Sequence, residues 1–167
     1  TSPIPVAIAG TGTAPGISSN LPLYITPAGA DNDKPMVLFL SGDGGWTGFD
    51  RQICDELAAK QVPTVGLNSQ SYFWKKKTPE QTVNDLAPVV RQYLREWKKS
   101  KCILVGYSFG AGIAPFLQNR FPPDLHKEIS QIVLLSPDLR CDFEIHVAGM
   151  LGHSGGPYDV VAEVRSL

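Results

Sequence analysis

The sequence predicts an α/β fold in which a mostly parallel sheet carries helices on both faces. Five short apolar runs rich in Val, Ile and Leu are too brief to be helices: residues 22–26, 36–40, 62–67, 102–105 and 132–135. Such runs are typical of strands buried on both faces. Helical patterns lie between several of them, and this alternation implies crossover connections between parallel strands.

The composition supports a single soluble globular domain over residues 1–167. Hydrophobic residues make up 43% of the 167 residues and charged residues 19%, which excludes a disordered, collagen-like or coiled-coil chain. No apolar run approaches the roughly 18 to 20 residues of a membrane-spanning helix. The first residues lack a basic region followed by an apolar one, so we expect any export signal to have been removed. Residues 1–20 are expected to be extended or loop-like.

Three helices are predicted between the strands. Phe49, Ile53 and Leu57 fall at i, i+4 and i+8, on one face of a first helix. A third helix should run from residue 109 to residue 120, where Pro122 and the next proline stop it.

The second helix carries a start signal in its sequence. Thr78 can cap its N-terminus, Pro79 suits the first helical position, and Gln81 can complete a capping box. Pro88 lies inside this helix and should bend it, because it removes one backbone hydrogen bond.

Positive charge is concentrated in residues 75–101, which hold eight basic side chains against three acidic ones. The net charge of the whole chain is only −1, so we do not expect a nucleic-acid-binding protein. The basic segment is either a solvated surface or a surface for anionic lipid. Cys54 and Cys102 are predicted to be buried thiols, whereas Cys141 lies in a polar stretch and could pair.

The strongest chemical signal follows the strand at residues 102–105. Gly106, Ser108 and Gly110 form the pattern G-x-S-x-G between a strand and a helix, the context of a nucleophile elbow. Ser108 would project its hydroxyl above the sheet, and the Phe109 N–H would donate to the oxyanion. The alternative is a glycine-rich turn that only permits close packing. A Walker-type phosphate loop is excluded because its lysine is missing.

A second glycine-rich segment, SGDGGW, follows the strand at residues 36–40. This is where α/β-hydrolases carry the loop that supplies another oxyanion-hole amide, and by position the donor is the N–H of Asp43. Gly42, Gly44, Trp46 and Tyr107 are therefore candidate substrate contacts. A flexible loop is the alternative, and a lone aspartate makes a calcium loop a poor explanation.

Five motifs in order resemble the VirJ/AcvB family of bacterial virulence proteins: SGDGGW, QSYFW, KTPEQTVNDL, GYSFGAGIAPF and FEIHVAGMLG. The resemblance implies an α/β-hydrolase fold, export to the periplasm and an association with type IV secretion. It also implies hydrolysis of lysyl-phosphatidylglycerol, with Ser108 as nucleophile and the amides of Asp43 and Phe109 as oxyanion hole. No metal or organic cofactor is implied.

The general base and the triad acid are poorly defined in the sequence. The expected order is Ser, acid, His, and His153 is the in-chain base that fits it best. The candidate acids are Asp138, which lies just past the strand at residues 132–135, and Asp142. His126 is expected at the surface, and His146 is expected to be a structural side chain within a strand-like run over residues 143–147. We therefore expect the domain to lack its last strands and a complete triad.

Two further interpretations concern ligands. Asp138, Asp142 and Glu144 could form an acidic rim that attracts a cationic lysyl group. Trp74 beside three lysines is either a contact for lipid substrate and an anionic bilayer surface, or an aromatic packed over the sheet edge. The function predicted is a periplasmic serine ester hydrolase acting on a lipid or small ester. The alternative is a non-enzymatic accessory protein that binds secretion-system proteins.

Overall fold

A five-stranded sheet with the order β1-β3-β2-β4-β5 forms the centre of the molecule. The computed structural model describes residues 20–29, 32–146 and 155–167. Strands β2 to β5 run parallel, and β1 pairs with β3 in the antiparallel direction. The strands are β1 Leu23–Thr26, β2 Met36–Leu40, β3 Thr64–Leu67, β4 Cys102–Tyr107 and β5 Ile129–Leu135.

Helices cover both faces of this sheet. They are α1 Gly48–Ala59, α2 Ser69–Tyr72, α3 Pro79–Glu96, α4 Phe109–Arg120, α5 Pro123–His126 and α6 Val160–Val164. On the central strand β2, Leu38 and Leu40 join the large core under α3 and α4, whereas Val37 and Phe39 join a smaller core under α1. This alternation puts every residue of β2 in apolar surroundings, as the continuous apolar run predicted.

The predicted parallel sheet with helices on both faces is confirmed. The third predicted helix has the observed bounds of α4, and the predicted start signal of α3 is present. Thr78 Oγ1 accepts a hydrogen bond from the Gln81 N–H at 3.1 Å, and Gln81 Oε1 accepts one from the Thr78 N–H at 3.0 Å. These reciprocal bonds satisfy two amides that the helix leaves without partners.

The prediction of a strand at residues 143–147 is wrong for the residues described. The chain bends at Phe143 and makes its hydrogen bonds elsewhere: the Ile145 N–H donates to the Phe73 carbonyl at 2.8 Å, and the Lys77 N–H donates to the Phe143 carbonyl at 2.9 Å. The alternating pattern arises because Phe143 and Ile145 are buried in the large core while His146 is exposed. The alternation of apolar and polar residues in this segment therefore comes from burial of one side of the chain, without pairing to another strand.

A second, two-stranded sheet lies beside α4. It pairs β6 Arg140–Cys141 with β7 Tyr158–Asp159 in the antiparallel direction. Helix α6 follows directly, and Glu163 on it accepts hydrogen bonds from Asn119 at 3.0 Å and from Arg120, both on α4. These contacts fix the position of the chain around Cys141 relative to α4.

All three cysteines are buried free thiols. This confirms the prediction for Cys54 and Cys102. Cys141 is also buried, although its neighbours in sequence are polar, because it packs against α4 where Gly112 leaves room: a Cβ on Gly112 would lie 2.9 Å from the Cys141 Cβ. Among the helices described, none combines the length and apolar character needed to cross a bilayer. Apart from Asn20, the segment predicted to be loop-like lies outside the described residues.

We expect the free energy of unfolding to fall as the pH rises above about 9. Burial raises the pKa of Cys102 and of Cys141 from 9.0 to about 12. Unfolded thiols therefore release protons at a pH where the folded thiols keep theirs. Each buried thiol should lower stability by about 1.4 kcal/mol per pH unit in this window. Urea unfolding between about pH 8 and about pH 10 measures the slope.

The Cys102→Ala variant is the control for this slope. It lacks one of the buried thiols, so its stability should decline less steeply with pH by the contribution of one proton. Identical slopes for the two proteins would show that burial of Cys102 does not govern the alkaline decline.

Candidate active site

Ser108 occupies a tight turn between β4 and α4. Its backbone has φ 50° and ψ −112°, a conformation that costs a non-glycine residue about 1–3 kcal/mol. The flanking glycines explain how the turn fits: a Cβ on Gly106 would lie 2.3 Å from the Gly110 carbonyl oxygen. The Ser108 N–H donates to the Leu135 carbonyl at 2.8 Å, which ties the turn to β5.

The loop after β2 is held against this turn. A Cβ on Gly110 would lie 2.3 Å from the Leu40 carbonyl oxygen, and a Cβ on Gly42 would lie 3.6 Å from the Ser108 Cβ. Ser41, fully buried, fixes the loop from below, since its Oγ accepts a hydrogen bond from the Ser69 N–H at 2.9 Å. The segment that carries Asp43 therefore has a fixed position beside Ser108.

A cavity of about 390 Å³ opens above Ser108. Asp43 and Phe109 line it together with Ser108. The Phe109 N–H belongs to the first turn of α4, so the helix itself provides no acceptor for it. The remaining wall comes from α4, from residues 138–146 and from the chain before β7: Gly112, Asp138, Arg140, Cys141, Asp142, Glu144, Ile145, His146, Gly155 and Gly156.

Cys141 contributes a sulfur atom to this wall, but it is a poor nucleophile. Burial, followed by the nearby charges of Asp142 and Glu163, raises the pKa of its thiol to about 12. Only the thiolate is strongly nucleophilic, so at neutral pH this group stays protonated. Its Sγ donates to the Gly112 carbonyl at 3.5 Å.

Carboxylates dominate the charge of the cavity. Asp43, Asp138, Asp142 and Glu144 line it, and one arginine accompanies them. Arg140 uses its guanidinium to hold the chain before β7, donating to the carbonyls of Gly156 and Pro157 at 2.8 Å each. The cavity therefore favours a ligand that carries positive charge.

His146 lines the same cavity, which corrects the prediction that it is a structural side chain. Its Nε2 lies 3.4 Å from Asp142 Oδ2 and 3.6 Å from a Glu144 carboxylate oxygen, and the side chain is 54% exposed. The three side chains offer ligand atoms within 4.8 Å of one another, an arrangement that could also hold a metal ion. The sequence signal for this cluster is the spacing D-x-E-x-H of Asp142, Glu144 and His146. The prediction of a strand explained the same alternation by burial and so gave these side chains no shared role.

The family model described as bacterial virulence protein (VirJ) matches residues 34–167. This chain belongs to the VirJ family. The match includes both glycine-rich loops and all of the cavity residues named above. No sequence among the curated proteins matches the chain.

Solved structures similar to this VirJ-family chain are α/β-hydrolases. A protein of Klebsiella pneumoniae assigned as a dienelactone hydrolase is 16% identical with a TM-score of 0.57, over 71% of this chain and 55% of its own. A soluble variant of monoglyceride lipase from Saccharomyces cerevisiae is 18% identical with a TM-score of 0.55, over 78% and 43%. An esterase from Thermogutta terrifontis is 18% identical with a TM-score of 0.54, over 73% and 42%. The chain thus spans about half the length of these structures, and the likeness establishes the fold.

Several predicted site residues lie away from the cavity wall. Trp46 packs on β3, where its ring contacts Gly66 and stacks on Tyr24 with ring centroids 4.7 Å apart. The Tyr107 ring packs on Phe49. Trp74 is exposed in the turn that follows α2. Gly42 and Gly44 shape the loop without lining the cavity.

The histidine predictions have three different outcomes. His153 lies outside the described residues. His126 is exposed at the end of α5, as predicted. His146 is the histidine that the described part of the chain brings to Ser108's cavity.

We predict that Gly110→Ala lowers the free energy of unfolding by about 3 kcal/mol. The added Cβ would overlap the carbonyl groups of Leu40 and Ser41, which are backbone atoms that cannot rotate away. Denaturant unfolding of the variant measures the loss.

Gly48→Ala is the matched control, because no heavy atom lies within 4 Å of its added Cβ at the start of α1. Its stability should stay within about 1 kcal/mol of the parent protein. Similar losses in both variants would contradict the close approach of α4 to β2.

Proposed function

We propose that this protein is a serine ester hydrolase with Ser108 as its nucleophile. The single observation that supports this most strongly is the strained backbone of Ser108 at the mouth of an acidic cavity, directly beside the loop that carries Asp43. A non-glycine residue is held at positive φ only where the surrounding structure compels it, and such residues cluster at active sites. The α/β-hydrolase fold is shared with esterases and a lipase.

The proposed reaction begins when Ser108 Oγ attacks the acyl carbonyl of the ester. A histidine takes the hydroxyl proton, and the N–H groups of Asp43 and Phe109 donate to the oxyanion. The carbon–oxygen bond of the ester then breaks, and the histidine returns the proton to the leaving alcohol. Water attacks the acyl-enzyme by the same route and releases the acid.

His146 is the described histidine best placed for this proton transfer. It follows Ser108 in the chain and faces the Asp142 carboxylate, so the order of serine, acid and histidine is that of α/β-hydrolases. In this arrangement Asp142 would orient the imidazole and stabilise its charged form. Asp138, also on the cavity wall, is the alternative acid proposed from the sequence.

We further propose lysyl-phosphatidylglycerol as the substrate and the periplasm as the site of action. The family resemblance suggests both, and the acidic cavity supports the first, because a lysyl ester carries ammonium groups close to its acyl carbon. Asp142 and Glu144 are the carboxylates best placed to attract them. Association with a type IV secretion system as a non-enzymatic accessory is the competing proposal.

We expect Ser108→Ala to lower kcat for a soluble lysyl ester by at least about 10⁴-fold, because the nucleophile is lost while the oxyanion-hole amides remain. Steady-state hydrolysis by the full-length protein is the measurement. Ser130→Ala, on the exposed face of β5, should leave the rate unchanged.

Histidine variants test whether His146 transfers the proton. His146→Gln should depress kcat, whereas the exposed His126→Gln should leave it unchanged. Full activity in Ser108→Ala would refute Ser108 as the nucleophile, whereas no hydrolysis by the protein with Ser108 intact would favour the accessory protein.

A second prediction concerns the acyl group. Glu144→Gln should raise KM for a lysyl ester by about two- to fivefold, and this effect should shrink at high salt. Asp142→Asn should in addition lower kcat for every ester, because it removes the proposed triad acid. KM for the matching norleucyl ester, which has the same side-chain carbons but lacks the side-chain ammonium, should change little.

Glu56→Gln, on the exposed surface of α1, is the charge-matched control and should not alter either KM. A KM that rises equally for lysyl and norleucyl esters would show that the carboxylates only maintain the shape of the cavity.

A further inference from the structure

The turn between α2 and α3 presents an aromatic ring and positive charge to solvent. Its residues 74–77 are a tryptophan and three lysines. Trp74 is 55% exposed, while the two residues before it, Tyr72 and Phe73, are buried in the large core. Lys75 and Lys76 are exposed as well. We call residues 74–77 the Trp-Lys turn.

Two basic side chains elsewhere in residues 75–101 form ion pairs with carboxylates. Arg91 pairs with Asp124 at 2.8 Å, and Lys101 lies 3.6 Å from Glu128. In contrast, no carboxylate of the described residues forms an ion pair with Lys75 or Lys76. Two adjacent exposed lysines that form no ion pair with a described residue therefore directly follow Trp74.

The Trp-Lys turn adjoins the wall of the Ser108 cavity. The Lys77 N–H donates to the Phe143 carbonyl at 2.9 Å. Phe73, the residue before the turn, accepts a hydrogen bond from the Ile145 N–H at 2.8 Å. The Phe73 ring also packs against Phe109, the residue after the nucleophile, with centroids 5.3 Å apart. Whatever binds the turn therefore lies next to the cavity.

The turn is also held rigidly from below. The Tyr72 hydroxyl donates to Asp85 at 2.6 Å, and the Lys77 ammonium lies 4.9 Å from the centre of the Tyr72 ring. Burial and the Asp85 carboxylate raise the pKa of Tyr72 well above its ordinary value, so this phenol stays a donor. The exposure of Trp74 is thus built into the fold, since its neighbours on both sides are anchored.

We propose that the Trp-Lys turn docks the protein on an anionic phospholipid bilayer, with the Ser108 cavity facing the head groups. Tryptophan prefers the interface between head groups and acyl chains, and lysines beside it are attracted by anionic lipid. A nucleic acid would need basic side chains spread along a groove, whereas Lys75 and Lys76 are two neighbours beside one exposed aromatic ring. Docking needs no reaction at Ser108, so it goes beyond the proposed hydrolysis and can be tested apart from it.

The test uses full-length protein carrying Ser108→Ala, so that no lipid is consumed. Co-sedimentation is measured with vesicles of phosphatidylcholine alone and with vesicles that also contain phosphatidylglycerol. We expect binding to the second kind only, weakened about 25-fold by Lys75→Gln with Lys76→Gln, at about fivefold per lysine. Trp74→Phe should remove the blue shift of tryptophan fluorescence that accompanies binding.

Lys60→Gln with Lys127→Gln is the matched control. These two exposed lysines precede β3 and β5, at the edge of the sheet opposite Ser108, and the pair removes the same charge. Equal loss of vesicle binding in both pairs, or equal binding to both kinds of vesicle, would overturn the proposal. So would a Lys75/Lys76 variant that loses binding to duplex DNA while keeping its binding to vesicles.

The two proposals can fail separately. Absence of soluble-ester hydrolysis by the protein with Ser108 intact, with vesicle binding preserved, would refute the hydrolase and leave the docking surface. Hydrolysis of the soluble ester without vesicle binding would refute the docking surface alone.

Discussion

The close approach of α4 to the end of β2 is the constraint on which the site depends. Gly110 lies so near the Leu40 and Ser41 carbonyl groups that no side chain fits between them. This contact brings a helix N-terminus, the strained Ser108 and the loop carrying Asp43 to one point above the sheet. The helix dipole and its free amides then favour negative charge at the place where an oxyanion would form. The strain at Ser108 is tolerated because β5 holds its amide from the other side.

A second layer of the site comes from the chain that follows β5. Residues 138–146 cross over the end of the sheet and give the cavity its acidic wall, with Phe143 buried in the core as an anchor. Two backbone hydrogen bonds connect this wall to the chain that follows α2. The proposed attraction of substrate, the proposed proton transfer and the proposed membrane contact would therefore all depend on one connected surface. Ser108 and the loop that carries Asp43 depend on the rigid sheet below it.

The parts of the molecule that follow local rules were predictable from the sequence. An unbroken apolar run predicts β2, Thr78 and Gln81 predict the start of α3, and the glycines around Ser108 predict the turn. Each of these signals acts over a few neighbouring residues. Contacts between distant segments were not predictable. Trp46 fills the space above Gly66, Cys141 is buried against Gly112, and the alternation at residues 143–146 reflects packing on Phe73. None of these partners is marked in the local pattern.

Covalent labelling tests whether the fold activates Ser108 as a nucleophile. Folded full-length protein is treated with a fluorophosphonate, digested and analysed by mass spectrometry, with urea-unfolded protein as the reference. A single phosphonyl adduct on the peptide containing Ser108, absent after unfolding, is the expected result. A folded protein that takes no label there, or that is labelled on exposed serines such as Ser130 equally well, would contradict the account.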